Sequence, residues 1–310
     1  MNQVKRIITR LVPASILRHI RAALSPSALP ENYKERLACY EKVEKNFFAS
    51  DSESDLAILR MYSHFLDKRF YTSDWAPGHS RFVYDRAKRI LDSYADTDDP
   101  TVLWARGIIN EYEDRQRARP NTISPLGKIM EPSPLVPEDL LRQMRYRVSS
   151  RHYENRRVDV ASIEKIVESS LEAPCSCSRQ ALRVYASVEP ETARSALKCF
   201  KGFTCFSQFV PCVLVFCVDL RPYSMPKELF VPHLDVGLAA SNAALMASSM
   251  GLTIVFLSWG SRTADNERRL RKQFNIPDYY EIAVGGCCGY PSRTPVRPVR
   301  KPISKTLIWK

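Results

Sequence analysis

Three stretches of the chain carry side chains whose types and spacing could do chemistry. Arg147-Val-Ser149-Ser-Arg151 sets two guanidinium groups four residues apart around a hydroxyl, the donor set that a phosphate-type anion needs. By itself, the wider run from Arg142 to Arg157 also reads as a solvated basic face. Residues 171–188 hold a turn of small polar side chains, Pro174-Cys-Ser-Cys-Ser-Arg-Gln180, between a helical and a strand pattern. Such a loop is a common place for a ligand to lie against backbone. The third stretch is the tail, where Arg293, Arg297, Arg300 and Lys301 are spaced by prolines. No Ser-His-Asp pattern is legible. The nine cysteines include no Cys-x-x-Cys pair, so the expectation is free thiols in a reducing cytoplasm and no metal site.

Composition sets bounds on the partners. In 310 residues the net charge is +12 and the hydrophobic content 45%, which fits a folded chain of one large or two modest domains. The charge favours an anionic partner, whether a phosphate-bearing cofactor, nucleic acid or an acidic membrane, without choosing among them. Residues 1–30 contain no acid and interleave Lys5, Arg6, Arg10, Arg18 and Arg21 with Val4, Ile7, Ile8, Leu11, Ile16, Leu17 and Ile20. That pattern predicts a basic amphipathic helix, broken at Pro13, which packs on its own protein, lies on an anionic membrane or acts as a targeting peptide.

The elements that must position these residues follow from periodicity. Ile163, Ile166, Val167, Ser170 and Leu171 share a helical face that ends before Pro174. Leu182, Val184, Ala186 and Val188 alternate with polar residues and predict a strand. In a helical region over 31–118, Leu56, Leu59, Tyr62, Ser63 and Leu66 keep the helical period, and Asp98 or Asp99 is placed to cap the next helix. Five prolines in 119–139 predict a stiff linker. Residues 140–310 then alternate: a short helix at 190–200, an aromatic loop at Phe200, Phe203, Phe206 and Phe209, and a buried strand at 212–219. A long Ala- and Ser-rich helix follows over 233–250, ended by Gly251. A strand at 253–259, a helix at 265–274 and a glycine-rich strand at 282–289 complete an α+β sheet sandwiched by helices.

The segment Ala173-Pro-Cys-Ser-Cys-Ser-Arg-Gln180 resembles the Ala-Pro-Ser-x-x-Asn-x-Gln-Pro turn of the nitroreductase family of FMN-binding reductases. Arg147-Val-Ser-Ser-Arg-His-Tyr153 resembles that family's Arg-Arg-Ser-x-Arg-x-Phe opening. Asp235-x-Gly237 through Asn242 to Gly251-Leu252 resembles its long central helix, and Gly289-Tyr-Pro291 its Gly-Tyr-Pro turn. The resemblance covers residues 144–310. In the helical region, His64-x-x-Asp67-Lys68 and Gly78-His-Ser-Arg-Phe82 look like the N-terminal extension of one subgroup, or are simply neighbours on helix faces.

The resemblance implies a nitroreductase-like sheet, bound FMN, NADH or NADPH as electron donor, and a small reducible acceptor of nitro or quinone type. It places Arg147 and Ser149 on the FMN phosphate and Arg151 on the polar edge of the ring. Pro174, Cys175 and Ser176, with Ser178 and Gln180, would cover the ring from the second subunit of a homodimer built on the central helix. Ser258, Trp259 and Gly260 would offer backbone N–H to the flavin atom that gives up hydride, and Arg300 and Lys301 would reach the phosphate. Val148, Ser178, Ala181 and Leu182 depart from the family pattern. These departures leave open a flavin-binding or assembly protein without turnover, and the basic ends leave open a nucleic-acid or membrane-surface binder.

Overall fold

The computed structural model describes residues 51–71, 78–94, 97–117, 131–223, 228–293 and 295–310. The expected N-terminal amphipathic helix, and Pro120 and Pro125 of the expected linker, lie outside the described residues.

Among the described residues, the N-terminal helical region is a three-helix layer. Helix α1 (Ser52–Asp67) begins in a capping box, with the Ser54 amide donating to Asp51 Oδ1 at 3.0 Å. Helices α2 (Arg81–Asp92) and α3 (Pro100–Arg117) pack against it. Of the two candidate caps, Asp99 takes the role for α3, accepting from the Thr101 amide at 2.8 Å. Leu59, Leu66, Ala87, Leu91, Val102, Ile109 and Tyr112 form one buried core, so this layer has its own apolar centre. The expected helical face of α1 is the buried one, with Leu59, Ser63 and Leu66 all inside.

Helix α4 (Pro137–Tyr146) takes up residues that composition assigned to the linker, because Pro137 sits in the first turn, where its missing N–H costs nothing. Helix α5 (Val160–Leu171) is capped by Asp159, whose Oδ1 accepts from the Ser162 amide at 2.7 Å. It buries Ile163, Ile166 and Ser170, but Leu171 is 57% exposed, contrary to its assignment to the apolar face. Eight residues beyond Ile163, it stands roughly 80° round the helix, at the edge of the stripe.

The sheet has four antiparallel strands, β1 (Leu182–Ser187), β2 (Val213–Asp219), β3 (Thr253–Ser258) and β4 (Tyr280–Gly289), in the order β1-β2-β4-β3. On one face, Leu214, Phe216, Val218 and Ile254 pack against α5 and helix α7 (Val231–Ser249). On the other, Val213, Val215, Cys217 and Val255 pack against helices α6 (Pro190–Leu197) and α8 (Ala264–Phe274). A strand covered on both faces must be apolar at every position, which is why β2 reads as an uninterrupted run. Helix α7 ends where expected, with Gly251 left-handed at φ +75° and the Leu252 amide bonded back to the Ala247 carbonyl at 2.9 Å.

Candidate functional site

The segment 147–153 is laid across the end of β4 by backbone bonds. The Glu154 amide donates to the Tyr290 carbonyl at 2.9 Å, the Ser292 amide to His152 at 3.0 Å, and the Ser207 amide to Arg151 at 3.0 Å. Tyr153 is the pin: its buried hydroxyl donates at 2.8 Å to the Ser150 carbonyl and lies 3.0 Å from that of Cys287. Burial pushes its phenol well up, so it stays a neutral donor. Gly289 is obligatory beneath it, because a Cβ there would run into Pro211 and stand 2.8 Å from the Tyr153 ring.

Arg147, at the C-cap of α4, borders a groove of about 590 Å³ between α7 and the β3–β4 edge. Its walls are His233, Gly237 and Ala240 of α7 and Phe256 and Val284 of the sheet. Small residues on α7 leave the space, and Phe256 and Val284 supply flat apolar cover. Ser258 pairs with Val284 across the ladder, so the strand end 258–260 adjoins the groove. Ser258 and Gly260 are exposed there, while Trp259 turns inward at 3% exposure, its ring 4.8 Å from that of Phe200. Ser149 and Arg151 are exposed. Arg300 and Lys301 are exposed on the tail, and the Arg300 guanidinium donates to the Pro298 carbonyl at 3.1 Å. His233 escaped sequence reading; its Nε2 stands 3.6 Å from Glu281, a carboxylate buried on β4.

The turn at 174–180 is a separate construction. A single 3-10 turn, Ser176–Ser178, carries three non-glycine residues in the left-handed region: Cys177 (φ +54°), Ser178 (+55°) and, beyond it, Gln180 (+50°). Each such residue costs about 1 to 3 kcal/mol and persists only where neighbours over-determine it. Here they do. Asp235 of α7 accepts from the Ser176 amide at 2.9 Å, the Ser176 hydroxyl at 2.8 Å and the Tyr223 hydroxyl at 2.7 Å. The Arg179 side chain is buried, donating to the Pro222 carbonyl at 2.9 Å and to both oxygens of Glu228 at 3.0 and 2.9 Å. Burial raises the Cys175 thiol, which marks a packed thiol rather than a ready nucleophile.

Among the described residues, no member of the turn lines the Arg147 groove. Pro174, Cys175 and Gln180 border a smaller cavity with Leu182, Val218 and Ala239. One chain thus presents two half-sets of candidate residues in different cavities.

Comparison with known proteins gives this geometry a context. Residues 206–290 match the sequence profile described as the Nitroreductase family. A relative from Archaeoglobus fulgidus, whose name couples NADH dehydrogenase with NAD(P)H nitroreductase, is 27% identical over 157 residues, covering 50% of this chain and 86% of the relative. An NADPH-flavin oxidoreductase of Vibrio harveyi is 25% identical over 145 residues, covering 44% of this chain and 59%, under two thirds, of that protein. The solved structure of Bacillus megaterium NfrA1 superposes with a TM-score of 0.50 at 22% identity, over 56% of this chain and 74% of that one. That likeness bears on the fold: the α+β sheet and its covering helices are a nitroreductase-like arrangement.

Proposed function

We propose that this chain, whose residues 206–290 match the nitroreductase family profile, is an FMN-dependent oxidoreductase. It takes hydride from NADH or NADPH and passes it to a small acceptor of nitro or quinone type. We assign residues 140–310 to the flavin-binding domain, 31–118 to a helical region, and 119–139 to the join. The observation that carries the proposal is the Arg147 groove: apolar, of a size suited to a flat aromatic ligand, and edged by a cation.

The residues present fit that cofactor. Arg147 and Ser149 offer a guanidinium and a hydroxyl for the dianionic phosphate. Arg151, four residues on, supplies positive charge for the edge of the ring where charge builds on reduction. Phe256 and Val284 give the ring apolar cover. At the adjoining strand end the Ser258 amide and carbonyl are paired with Lys201 and the Gly260 amide with the Ser258 hydroxyl, so of Ser258, Trp259 and Gly260 it is the Trp259 amide that we assign to the flavin. Arg300 and Lys301, on an exposed tail, are two further cations that we assign to the phosphate. When bound, FMN supplies the hydride chemistry, so the chain need furnish no nucleophile.

In this proposal Pro174, Cys175, Ser176, Ser178 and Gln180 complete the pocket from a second copy, which is why they stand apart from Arg147 in one chain. The two copies meet along α7, whose Leu234 and Leu238 are 59% and 38% exposed, with Phe230 at its N-cap 64% exposed. Of the departures from the family pattern, Ala181 and Leu182 pack in the core. Both also line the cavity that Pro174, Cys175 and Gln180 border, so their effect on turnover is read by reduction of the bound flavin with NADH or NADPH. We place the protein in the reducing cytoplasm, on the ground that its nine cysteines include no Cys-x-x-Cys pair.

The test is a pair of variants. Arg147→Ala should weaken FMN binding roughly ten- to a hundredfold, the loss of a charge-assisted phosphate contact, and leave the potential of the bound flavin nearly unchanged. Arg151→Ala should weaken binding less and lower that potential. Calorimetric titration with FMN and dye-linked reductive titration read the two effects. Wild-type affinity and potential in both variants would remove the assignment.

A further inference from the structure

The turn that the proposed flavin site depends on is held from outside its own domain. Helix α1 lies against it. The Nε of Arg60, in the middle of that helix, donates to the Arg179 carbonyl at 3.0 Å, and Nη1 donates to the Thr101 hydroxyl in the first turn of α3 at 2.8 Å. One side chain therefore ties two helices of the N-terminal layer to the turn. The carbonyl it grips belongs to the peptide between Arg179 and Gln180. The other edge of that same peptide, the Gln180 amide, donates to Cys175 Sγ at 3.3 Å.

This peptide lies between two left-handed residues, Ser178 at φ +55° and Gln180 at φ +50°. Its plane sets the ψ of Arg179 and the φ of Gln180. A thiol sulfur is a weak acceptor and cannot hold the plane against backbone strain, whereas a guanidinium makes a charge-assisted bond. Burial disfavours the charged form of Arg60, and the nearby carboxylates of Asp99 and Glu53 oppose that. Asp235 and Glu228 fix the first half of the turn and the Arg179 side chain; Arg60 fixes the backbone of the second half.

We infer that Arg60 is a positioning residue of the flavin site, and that the N-terminal helices are part of how that site is built. The inference rests on the flavin assignment above. It makes the helical region a required support of the turn that presents Ser178 and Gln180.

The test uses the full chain. Arg60→Met keeps volume and removes both bonds. Leu59→Ala, at the adjacent buried position, loosens the helical core and leaves the guanidinium in place. Arg147→Ala reports the flavin assignment independently. Arg60→Met should weaken FMN about tenfold, as expected for one lost charged hydrogen bond. It should also shift the visible absorption bands of the bound flavin and speed amide hydrogen exchange at residues 176–181 in the apoprotein. Leu59→Ala should lower the melting temperature and weaken FMN less than Arg60→Met does, because the guanidinium and both of its acceptors stay in place. Should Arg60→Met not fold, Thr101→Val, which removes one of the two acceptors, should give the same spectral shift in smaller degree. Arg60→Met with wild-type affinity, spectrum and exchange, beside an Arg147→Ala that loses FMN, overturns the positioning role and leaves the flavin assignment standing. Equal effects of Leu59→Ala and Arg60→Met overturn it as well, since the support would then be general. A wild-type protein that binds no FMN overturns both.

Discussion

A glycine shows how little slack the site has at the level of single residues. Gly289 lies under Tyr153 and against Pro211, and Tyr153 in turn holds the Ser150 carbonyl of the arginine-bearing segment. Gly289→Ala would force apart groups that a packed interior cannot move cheaply, at a cost of about 1 to 3 kcal/mol. Because the displaced ring is the pin of residues 147–153, the variant should lose FMN affinity along with stability. Urea unfolding and FMN titration of the same preparation check this; a destabilised protein with unchanged affinity would show that the segment is held without Tyr153. Gly251, left-handed and with nothing within 4 Å of where a Cβ would stand, makes the contrast: there the need for glycine is backbone conformation, not space.

Among the elements, α1 does more than cap a helical layer. Its N-cap Asp51 also forms an ion pair with Arg221 at 2.9 Å, next to the buried Arg221–Asp219 pair at 2.6 Å, and Glu53 reaches Arg183 of β1 at 3.0 Å. Burial pushes the Asp51 carboxyl up, but hydrogen bonds from Arg221 and the Ser54 amide, with the Arg221 charge, more than offset it, and the net shift is downward. A carboxyl depressed in the folded state stabilises the fold above its unfolded value, near pH ~4. That contribution is lost as pH falls through the lower folded value. Stability should therefore drop on acidification below about pH 4, and Asp51→Asn should reduce the slope of unfolding free energy against pH in that window alone. Urea midpoints at pH values on either side give the answer; an unchanged slope would mean that the pair contributes nothing to holding α1 on the sheet.

For the molecule as a whole, the question is how two half-sets of residues become one pocket. The proposed homodimer answers it by apposing α7 helices, whose small residues let backbones approach and whose exposed Leu234 and Leu238 supply apolar area. Wild-type protein should scatter light as a dimer at micromolar concentration. Leu238→Glu, which places a charge in the desolvated centre of such a contact, should yield monomer that has lost FMN although Arg147 and the turn are intact. A monomeric wild type, or a monomeric variant with full flavin content, would show that each chain assembles its site alone.

Local sequence signals were enough for α1, for the elements from α5 to β4 and for the order of the candidate motifs. Period 3.6 placed α1, α5 and α8, an unbroken apolar run placed β2, and the pair Asp98–Asp99, Gly251 and Pro174 marked ends, because these signals act between residues a few positions apart. Type and spacing also located Arg147, Ser149, Arg151 and the 174–180 turn as candidates. They could not show that Leu171 would stand outside the core, nor that Pro137 opens a helix. Arg60 carried a faint signal, a cation on the apolar stripe four residues after Leu56 and three before Ser63, but nothing local named its acceptor. That acceptor lies 119 residues away, as Glu228 lies 49 from Arg179 and Glu281 48 from His233. Which distant backbone carbonyl a buried guanidinium satisfies is fixed only when the layers pack and water is excluded. That step alone made the turn and the Arg147 groove two places rather than one, and made the N-terminal helices a support for the first of them.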